Sequence, residues 1–251
     1  MRKEKVIENI NPLILKGIAH RGLHNQELTE NGLKAFQNAR EHQLAFELDI
    51  HLTKDGELVV CHDSELMRTT GKKGIIEDLT LEQIKKDYRL LDGEQIPSFQ
   101  EVLQANAEQV PIVVELKVYQ KNYVPLAKKA CEELKMIKDK RNIMLISFDP
   151  RALLHMKKSG FIRSLLVTLD NHHQWTYHLR FLFESLDLDY RFVNEKRAQR
   201  YQKRHFVNVW TIDSKEKMDL VLPYTDTVTF QLMDEAYVNA CLEKKNEKYL
   251  G

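Results

Sequence analysis

The chain has 251 residues, enough for one large α/β domain or two small ones with a sizeable hydrophobic core. Its 38 lysine and arginine residues nearly cancel its 37 aspartate and glutamate residues, so composition gives no basic field for nucleic acid or an anionic membrane. The three cysteines argue against a disulfide framework, and the apolar run at residues 13–15 is too short for a signal peptide or membrane span. We therefore expect a cytoplasmic protein that binds no nucleic acid and has no transmembrane segment.

The first predicted elements are a short strand and an amphipathic helix. Residues 17–22 form an apolar run that ends in His20-Arg21-Gly22, which predicts a strand with polar residues at its end. In residues 31–43 the apolar residues recur at helical spacing, and the segment starts with Asn31. Because asparagine is a preferred helix N-cap, we predict a helix capped by Asn31.

Residues 45–63 are predicted to form a β-hairpin. Asp55-Gly56 lies between two runs of alternating residues, which is a strong hairpin signal. Side chains alternate faces along a strand, so Glu47 and Asp49 point the same way. If Asp55 and Gly56 form a two-residue loop, Asp49 faces His62 across the hairpin, whereas a loop of three or five residues would shift this pairing.

Two carboxylates and an imidazole on one face suit a hard divalent cation beside a proton-transfer group, because Mg²⁺, Ca²⁺ and Mn²⁺ prefer carboxylate oxygens. The alternative is a solvated polar face of the sheet. The other face of the first strand is apolar, which predicts that the acids point inward, where unpaired charge is costly. The residues of this apolar face are Phe46, Leu48, Ile50 and Leu52.

Later in the chain, apolar strand patterns alternate with helical patterns. Strands are predicted at residues 112–117, 143–148, 164–169, 190–193, 206–212 and 227–230, and helices at 124–135, 151–158, 196–204 and 214–222. Such alternation indicates a parallel sheet covered by helices. With the first strand and the first hairpin strand the count is eight, which is typical of an α/β protein with a (β/α)8 TIM barrel. An open doubly wound sheet is the alternative.

The segment between the hairpin and the third barrel strand is too long for a simple crossover. We interpret residues 64–110 as an insertion after the second strand, at the barrel mouth, within a single domain of residues 1–251. Two helix starts are predicted inside it, at Thr80, which is followed by Gln83 in a capping pattern, and at Ser98.

Polar candidates converge on one rim of the predicted barrel, the C-terminal ends of the strands, where barrel enzymes carry their chemistry. They are His20, Arg21, Glu47, Asp49, His62, Glu115, Lys117, Ser147-Phe148, Asp170, His172-His173 and Trp210-Thr211. Each has a structural alternative: a core histidine, a strand cap, an internal ion pair, a packing aromatic residue or an exposed loop. Their convergence favours a functional site.

Several of these residues together resemble the glycerophosphodiester phosphodiesterase family. The shared motifs are His20-Arg21-Gly22, Thr29-Glu30-Asn31, Glu47-x-Asp49, His62-Asp63, Leu66-x-Arg68-Thr69-Thr70, Ile96-Pro97-Ser98, Glu115-x-Lys117, Ser147-Phe148 and Trp210-Thr211. The match is colinear from about residue 17 to residue 230. The resemblance implies a (β/α)8 barrel with an inserted segment, a divalent metal, and hydrolysis of small-molecule glycerophosphodiesters to glycerol 3-phosphate and an alcohol.

The resemblance also implies a role for each site residue. These roles are ligation of Mg²⁺, Ca²⁺ or Mn²⁺ by Glu47, Asp49 and Glu115, substrate binding by Arg21, Lys117 and Trp210, and acid–base catalysis by His20 and His62. The attacking group is water or the glycerol 2-hydroxyl, and the latter gives a cyclic phosphate. No particular oligomeric state is predicted.

Two positions depart from the family pattern. Thr29 stands where a proline is common, and the last strand ends in Thr229-Phe230 where Thr-Asp is common, which bears on substrate preference. The same barrel serves phospholipase D-like and lysophospholipase enzymes that act by ring closure. A non-catalytic phosphodiester-binding domain is a further alternative, and it predicts loss of one of the two histidines or three acids, all of which are present.

Overall fold

A computed structural model describes residues 3–169, 178–193 and 195–250 of the chain. Eight parallel strands close into a barrel, because the first strand pairs with both the second and the last. In the order of their pairing these are β1 (Ile18–Ala19), β2 (Ala45–Leu52), β4 (Ile112–Leu116), β5 (Ile143–Ser147), β6 (Ile162–Val167), β7 (Ser185–Asp189), β8 (Phe206–Ile212) and β9 (Thr227–Phe230). The short strand β3 (Leu58–Val60) pairs antiparallel with β2. The predicted (β/α)8 barrel is confirmed.

Most of the helices pack against the outside of the barrel. In the described residues the α-helices are α1 (Lys3–Ile7), α2 (Leu33–Glu41), α3 (Met67–Thr70), α4 (Leu81–Asp87), α5 (Phe99–Asn106), α6 (Tyr123–Glu133), α7 (Pro150–His155), α8 (Lys196–Gln202), α9 (Lys215–Val221) and α10 (Glu235–Leu250). Short 3₁₀ helices lie at Pro12–Lys16, Ile76–Asp78, Leu134–Met136, Lys140–Asn142, Lys157–Ser159, Arg180–Leu182 and Leu222–Tyr224.

Both faces of the barrel strands are buried. The outer face packs against the helices, and the inner face packs inside the barrel. Phe46, Leu48 and Ile50 of β2 point outward and pack with helix residues such as Phe36 in the main core, as predicted. Inward-facing residues of the strands form a separate cluster inside the barrel, which includes Ala45, Val113, Met144, Ile162 and Phe206. Alternation along β2 therefore directs its acidic residues into the barrel.

The N-terminal segment closes one end of the barrel. Val6, Ile10, Ile14 and Leu15 pack on the interior cluster at the N-terminal ends of the strands. The side chain of Asn246 on α10 fixes this closure by donating hydrogen bonds to the carbonyl oxygens of Leu15 at 3.1 Å and Asp226 at 2.9 Å. The base of the barrel is thus closed, and the C-terminal ends of the strands form its mouth.

The segment between β3 and β4 has an apolar cluster of its own. The cluster comprises Val59, Cys61, Leu66, Ile76, Ile84, Tyr88, Leu90 and Ile96. The predicted helix starts are confirmed, because Thr80 with Gln83 and Ser98 with Glu101 each form a reciprocal capping box. Side chains of α5 join the main core instead, where they pack beside α2.

Two predictions about strands are wrong. The predicted strand at 190–193 is instead β7 (Ser185–Asp189), whose inward-facing polar residues give it no apolar run. The hairpin loop has three residues, since the Thr53 amide donates to the Glu57 carbonyl at 2.8 Å and Gly56 adopts φ 83°. Ile50 consequently pairs with Val60, which shifts the register by one and removes the predicted pairing of Asp49 with His62.

A candidate active site at the barrel mouth

Three buried carboxylates meet at the barrel mouth. Glu47 and Asp49 lie on β2 and Glu115 lies on β4, where it is the register partner of Asp49. One oxygen from each side chain lies within 4.8 Å of the other two, and each residue is less than 9% exposed. Among the described residues, this is the one such cluster of three potential metal ligands.

Two cations lie against this carboxylate trio. Lys117 Nζ is 2.9 Å from Glu115 Oε1 and 3.4 Å from Asp49 Oδ1. The backbone amide of Arg21 donates to Glu47 Oε2 at 2.9 Å, and Arg21 Nε is 3.6 Å from Asp49 Oδ2. The cluster therefore holds three acids against two fixed positive charges.

Burial and the neighbouring charges shift the pKa values of the three acids in different directions. Burial and repulsion from Asp49 and Glu115 raise the pKa of Glu47 well above its usual value. Burial also raises the pKa of Glu115 to about 7, although Lys117 opposes the increase. For Asp49 burial acts upward, but the charge of Lys117 and further contributions from neighbouring groups, including Arg21, together lower the pKa. Crowded carboxylate oxygens with excess negative charge are the donor set that a hard divalent cation requires, so these residues fit such an ion.

Two imidazoles lie beside the trio, and each is oriented by an acceptor. His20 Nδ1 donates to Gln231 Oε1 at 2.7 Å, and His62 Nδ1 donates to Asp63 Oδ1 at 2.7 Å. These bonds leave Nε2 of each ring for other partners, and His20 Nε2 is 3.9 Å from Glu47 Oε2. Burial, helped by the charge of Arg21, lowers the pKa of His20 to about 4, and burial also lowers the pKa of His62.

His62 reaches the site despite the shifted hairpin register, because it follows the end of β3 rather than pairing across from β2. His51 Nε2 donates to the His62 carbonyl oxygen at 3.1 Å, while His51 Nδ1 contacts Glu77 Oε1 at 2.8 Å. Glu77 belongs to the segment between β3 and β4. That segment therefore helps to position the backbone of His62.

Sequence reasoning missed the contacts of Glu30 and Asn31. Gly32, not Asn31, is the N-cap of α2, and the Asn31 side chain instead donates to Asp49 Oδ2 at 2.9 Å. Glu30 accepts a hydrogen bond from Arg21 Nη1 at 2.8 Å and a two-pronged contact from Arg68 at 2.7 and 2.9 Å. Both residues belong to the motif at residues 29–31. The motif therefore singled them out, but the sequence did not reveal their hydrogen-bond partners.

A glycine next to the site allows a close backbone approach. Gly22 has φ 82°, and a Cβ atom there would lie 2.9 Å from the backbone carbon of Ala35 on α2. The chain thus turns sharply after Arg21 and passes against α2, which only glycine permits at this position.

The mouth contains a small inner cavity and a larger outer cleft. The inner cavity, of about 80 Å³, is lined by six of the predicted site residues, namely His20, Arg21, Glu47, His62, Glu115 and Trp210. The outer cleft, of about 640 Å³, is lined by Lys117 and shares His62, Glu115 and Phe148 with the inner cavity. Trp210 packs edge-on against Phe148 with ring centroids 5.7 Å apart. The candidates Asp170, His172 and His173 lie outside the described residues.

The profile of the glycerophosphoryl diester phosphodiesterase family matches residues 20–226, which span most of the barrel. The chain belongs to the glycerophosphoryl diester phosphodiesterase family. It is 32% identical over 216 residues to the glycerophosphodiester phosphodiesterase of Caldanaerobacter subterraneus subsp. tengcongensis, covering 82% of this chain and 88% of that protein.

Solved structures of glycerophosphodiester phosphodiesterases share the fold. That of Thermotoga maritima is 26% identical with a TM-score of 0.69, covering 85% of this chain and 92% of that one. A phosphodiesterase of Oleispira antarctica, solved in complex with the product sn-glycerol-3-phosphate, is 22% identical with a TM-score of 0.76, covering 93% of this chain and 95% of that one. In the described part of this chain, no helix has the length and apolar character needed to cross a bilayer.

Proposed function

We propose that this family member hydrolyses glycerophosphodiesters to glycerol 3-phosphate and an alcohol, using a divalent cation and a pair of histidines. The proposal is carried by one observation: two oriented imidazoles and two acids of the buried carboxylate trio line a single cavity. The Caldanaerobacter relative carries the same activity in its name, and the Oleispira neighbour holds glycerol 3-phosphate as its product, which support the substrate class.

Glu47, Asp49 and Glu115 would hold the cation, which we expect to be Mg²⁺, Ca²⁺ or Mn²⁺. When bound there, such an ion polarises a phosphoryl oxygen and neutralises the charge that develops on it. Asn31 supports this ligand set, because its amide donates to Asp49 Oδ2 and leaves the other oxygen, Oδ1, without a hydrogen bond.

Arg21 and Lys117 would bind the phosphate. A guanidinium can donate two parallel hydrogen bonds to a phosphate, and an ammonium supplies a point charge. Glu30 orients Arg21 by accepting from Nη1, so one edge of the guanidinium is fixed. Trp210 lines the inner cavity and would contact the bound substrate.

His20 and His62 would transfer the protons. Because Nδ1 of each ring donates to a fixed oxygen, Nε2 is the atom that accepts or delivers a proton. One imidazole activates the attacking group, which is water or the glycerol 2-hydroxyl, and the other protonates the leaving alkoxide. A low pKa keeps His20 neutral and able to accept a proton at pH 7.

The test is release of glycerol 3-phosphate from glycerophosphocholine by the purified protein, with and without EDTA. We expect activity that EDTA abolishes and that Mg²⁺, Ca²⁺ or Mn²⁺ restores. Activity that resists chelation would overturn the cation assignment. Cleavage of lysophosphatidylcholine without cleavage of any soluble glycerophosphodiester would overturn the substrate class.

We further propose that residues 1–251 form a single domain with residues 64–110 inserted at the mouth, and that the protein works in the cytoplasm. Strands contributed from residue 18 to residue 230 support one domain. Three free cysteines, Cys61, Cys131 and Cys241, suit a reducing compartment.

A further inference from the structure

Arg68, in the inserted segment, joins two carboxylates at the edge of the candidate active site. Its two terminal nitrogens donate to Glu30, at 2.7 Å to Oε1 and at 2.9 Å to Oε2. Its Nε donates to Asp63 Oδ2 at 2.6 Å. Glu30 precedes α2 and Asp63 follows β3, so one guanidinium ties two separate loops together. The motif at residues 66–70, to which Arg68 belongs, has no part in the proposed function as it stands.

Each of these carboxylates also holds a residue of the proposed machinery. Asp63 uses its other oxygen, Oδ1, to accept from His62 Nδ1 at 2.7 Å. Glu30 Oε1 accepts from Arg21 Nη1 at 2.8 Å as well as from Arg68. The chain of hydrogen bonds is continuous, in the order His62, Asp63, Arg68, Glu30, Arg21. A proton-transfer group and a phosphate-binding group are therefore connected through one side chain.

Positive and negative groups alternate along this chain, so each carboxylate lies between two donors. Burial alone would raise the pKa of Glu30, but Arg68 and Arg21 lower it to about 2. Burial also acts upward on Asp63, and hydrogen bonds from Arg68 and His62 lower its pKa. Both carboxylates are therefore ionised at neutral pH, and ionised acceptors make the stronger hydrogen bonds. Two-pronged arginine–carboxylate contacts within a network are the partly exposed ion pairs that have measurable effects.

The inserted segment itself fixes the backbone that carries Arg68. Arg68 lies in the short helix α3, between the buried residues Leu66 and Thr69. The Leu66 amide donates to the Gly74 carbonyl at 2.9 Å, and the Leu91 amide donates to the Thr69 carbonyl at 3.0 Å. The position of the guanidinium therefore depends on the fold of the inserted segment rather than on the barrel strands.

We propose that Arg68 is a positioning residue that orients the proton-transfer group and the phosphate-binding group at the same time. Through Asp63 it keeps His62 protonated on Nδ1, so that Nε2 exchanges the proton. Through Glu30 it fixes one edge of the Arg21 guanidinium and leaves the other edge for phosphate. Arg68 lines neither the inner cavity nor the outer cleft, so it acts through these residues. The proposal rests on the proposed function, since it gives the inserted segment a part in that reaction.

The first test measures the kinetics of glycerophosphocholine hydrolysis. We expect Arg68→Gln to lower kcat about 10- to 100-fold and to raise KM, because small displacements of catalytic groups have effects of this size. Arg68→Lys should recover only part of the loss, since one ammonium cannot reproduce the fork on Glu30. Arg89→Gln is the matched control, because Arg89 is an exposed arginine of the same segment that donates to backbone carbonyl oxygens. It should change neither constant by more than a few-fold.

Double-mutant cycles separate positioning from a purely structural role. The loss of glycerol 3-phosphate affinity in Arg68→Gln should shrink in a Glu30→Gln background, and the loss of kcat should shrink in an Asp63→Asn background. Partly exposed ion pairs contribute little to stability, so the melting temperature of Arg68→Gln should stay close to that of the wild type. Additive effects, or a lower melting temperature with unchanged kcat and KM, would overturn the proposal.

A measurement without ligand keeps this test separate from the proposed function. Nitrogen NMR shifts of the His62 ring, at a pH where the ring is neutral, report which nitrogen carries the proton. We expect Nδ1 to carry it in the wild type and in Arg89→Gln, and a mixture of tautomers in Arg68→Gln. The same result from a protein that does not cleave glycerophosphocholine would refute the proposed function alone. An unchanged His62 ring in Arg68→Gln would refute the positioning role, even in a fully active enzyme.

Discussion

Buried carboxylates occur at both ends of this barrel, and the two ends compensate them differently. At the closed base, Asp226 has Lys3 Nζ at 2.8 Å and accepts the amide hydrogen of Val207 at 2.9 Å. At the mouth, three carboxylates share two cations, and Asp49 Oδ1 accepts no hydrogen bond. The base balances its charge with groups of the chain, whereas at the mouth the three acids exceed the two cations that the described residues supply. The difference between a structural and a functional buried acid therefore lies in whether the chain itself supplies enough cations and hydrogen-bond donors to compensate its charge.

Replacing one acid at each end by its amide should give the largest difference in activity between the mouth and the base. Asp49→Asn removes a proposed cation ligand, and because a bound metal contributes several kcal/mol of charge stabilisation, we expect kcat to fall about 10³-fold or more. Asp226→Asn should keep activity within a few-fold of the wild type. Glycerol 3-phosphate release, together with metal content after gel filtration, measures both effects. Wild-type turnover by Asp49→Asn would contradict the functional interpretation of the mouth.

Removing either imidazole should affect proton transfer but not cation binding. General acid–base catalysis contributes about 10²–10⁴-fold, so His20→Ala and His62→Ala should each lose that much rate. His42→Ala is a suitable control, since His42 lies at the end of α2 and is largely exposed. Near wild-type rates in both active-site variants would rule out the acid–base roles of His20 and His62.

At the base, the expected effect is on stability rather than activity. Lys3→Met leaves the Asp226 carboxylate buried without its cation. Lys3 is partly exposed, so we expect the free energy of unfolding to fall by about 1–2 kcal/mol, between the values for exposed and buried pairs. Urea denaturation measures this difference, with exposed Lys5→Met as the control. A loss of activity at unchanged stability would be inconsistent with a structural base.

The smallest effect concerns the acid dependence of stability at the mouth. Burial alone would raise the pKa of Glu30, but hydrogen bonds and charges from Arg68 and Arg21 lower it to about 2. A lowered pKa in the folded state contributes stability above pH 4.5 that is lost as the pH falls towards 2. Wild type should therefore lose more stability than Glu30→Gln between pH 5 and pH 3 in urea titrations. Exposed Glu27→Gln should follow the wild type, and a pH-independent difference for Glu30→Gln would contradict this coupling.

The barrel was predictable because most strands form apolar runs, and these runs are separated along the chain by helical patterns. The exception, β7, was misplaced because Ser185, Asp187 and Asp189 alternate with its apolar residues and leave no continuous apolar run. The hairpin register was not predictable either. Thr53 Oγ1 donates to Asp55 at 2.6 Å, and Asp55 in turn accepts the amide of Leu81, so loop length depends on contacts distant in sequence.

The carboxylate trio could be named from alternation and motif, because strand geometry is regular. The groups that orient it could not. Asn31 forms a hydrogen bond with Asp49, and Gln231 forms one with His20. Both partners lie in loops, and no local sequence pattern specifies where a loop returns to the site. Gln231, the acceptor for His20, directly follows Phe230 at the end of β9.

The two halves of the proposed machinery lie on different structural units. Glu47, Asp49 and Glu115 are on barrel strands, whereas His62 follows β3 and is tied through His51 to a segment with its own small apolar cluster. Units of unequal stability open independently of one another. Mild denaturant should therefore abolish activity before the barrel itself unfolds, and hydrogen exchange of residues 64–97 should report that partial opening.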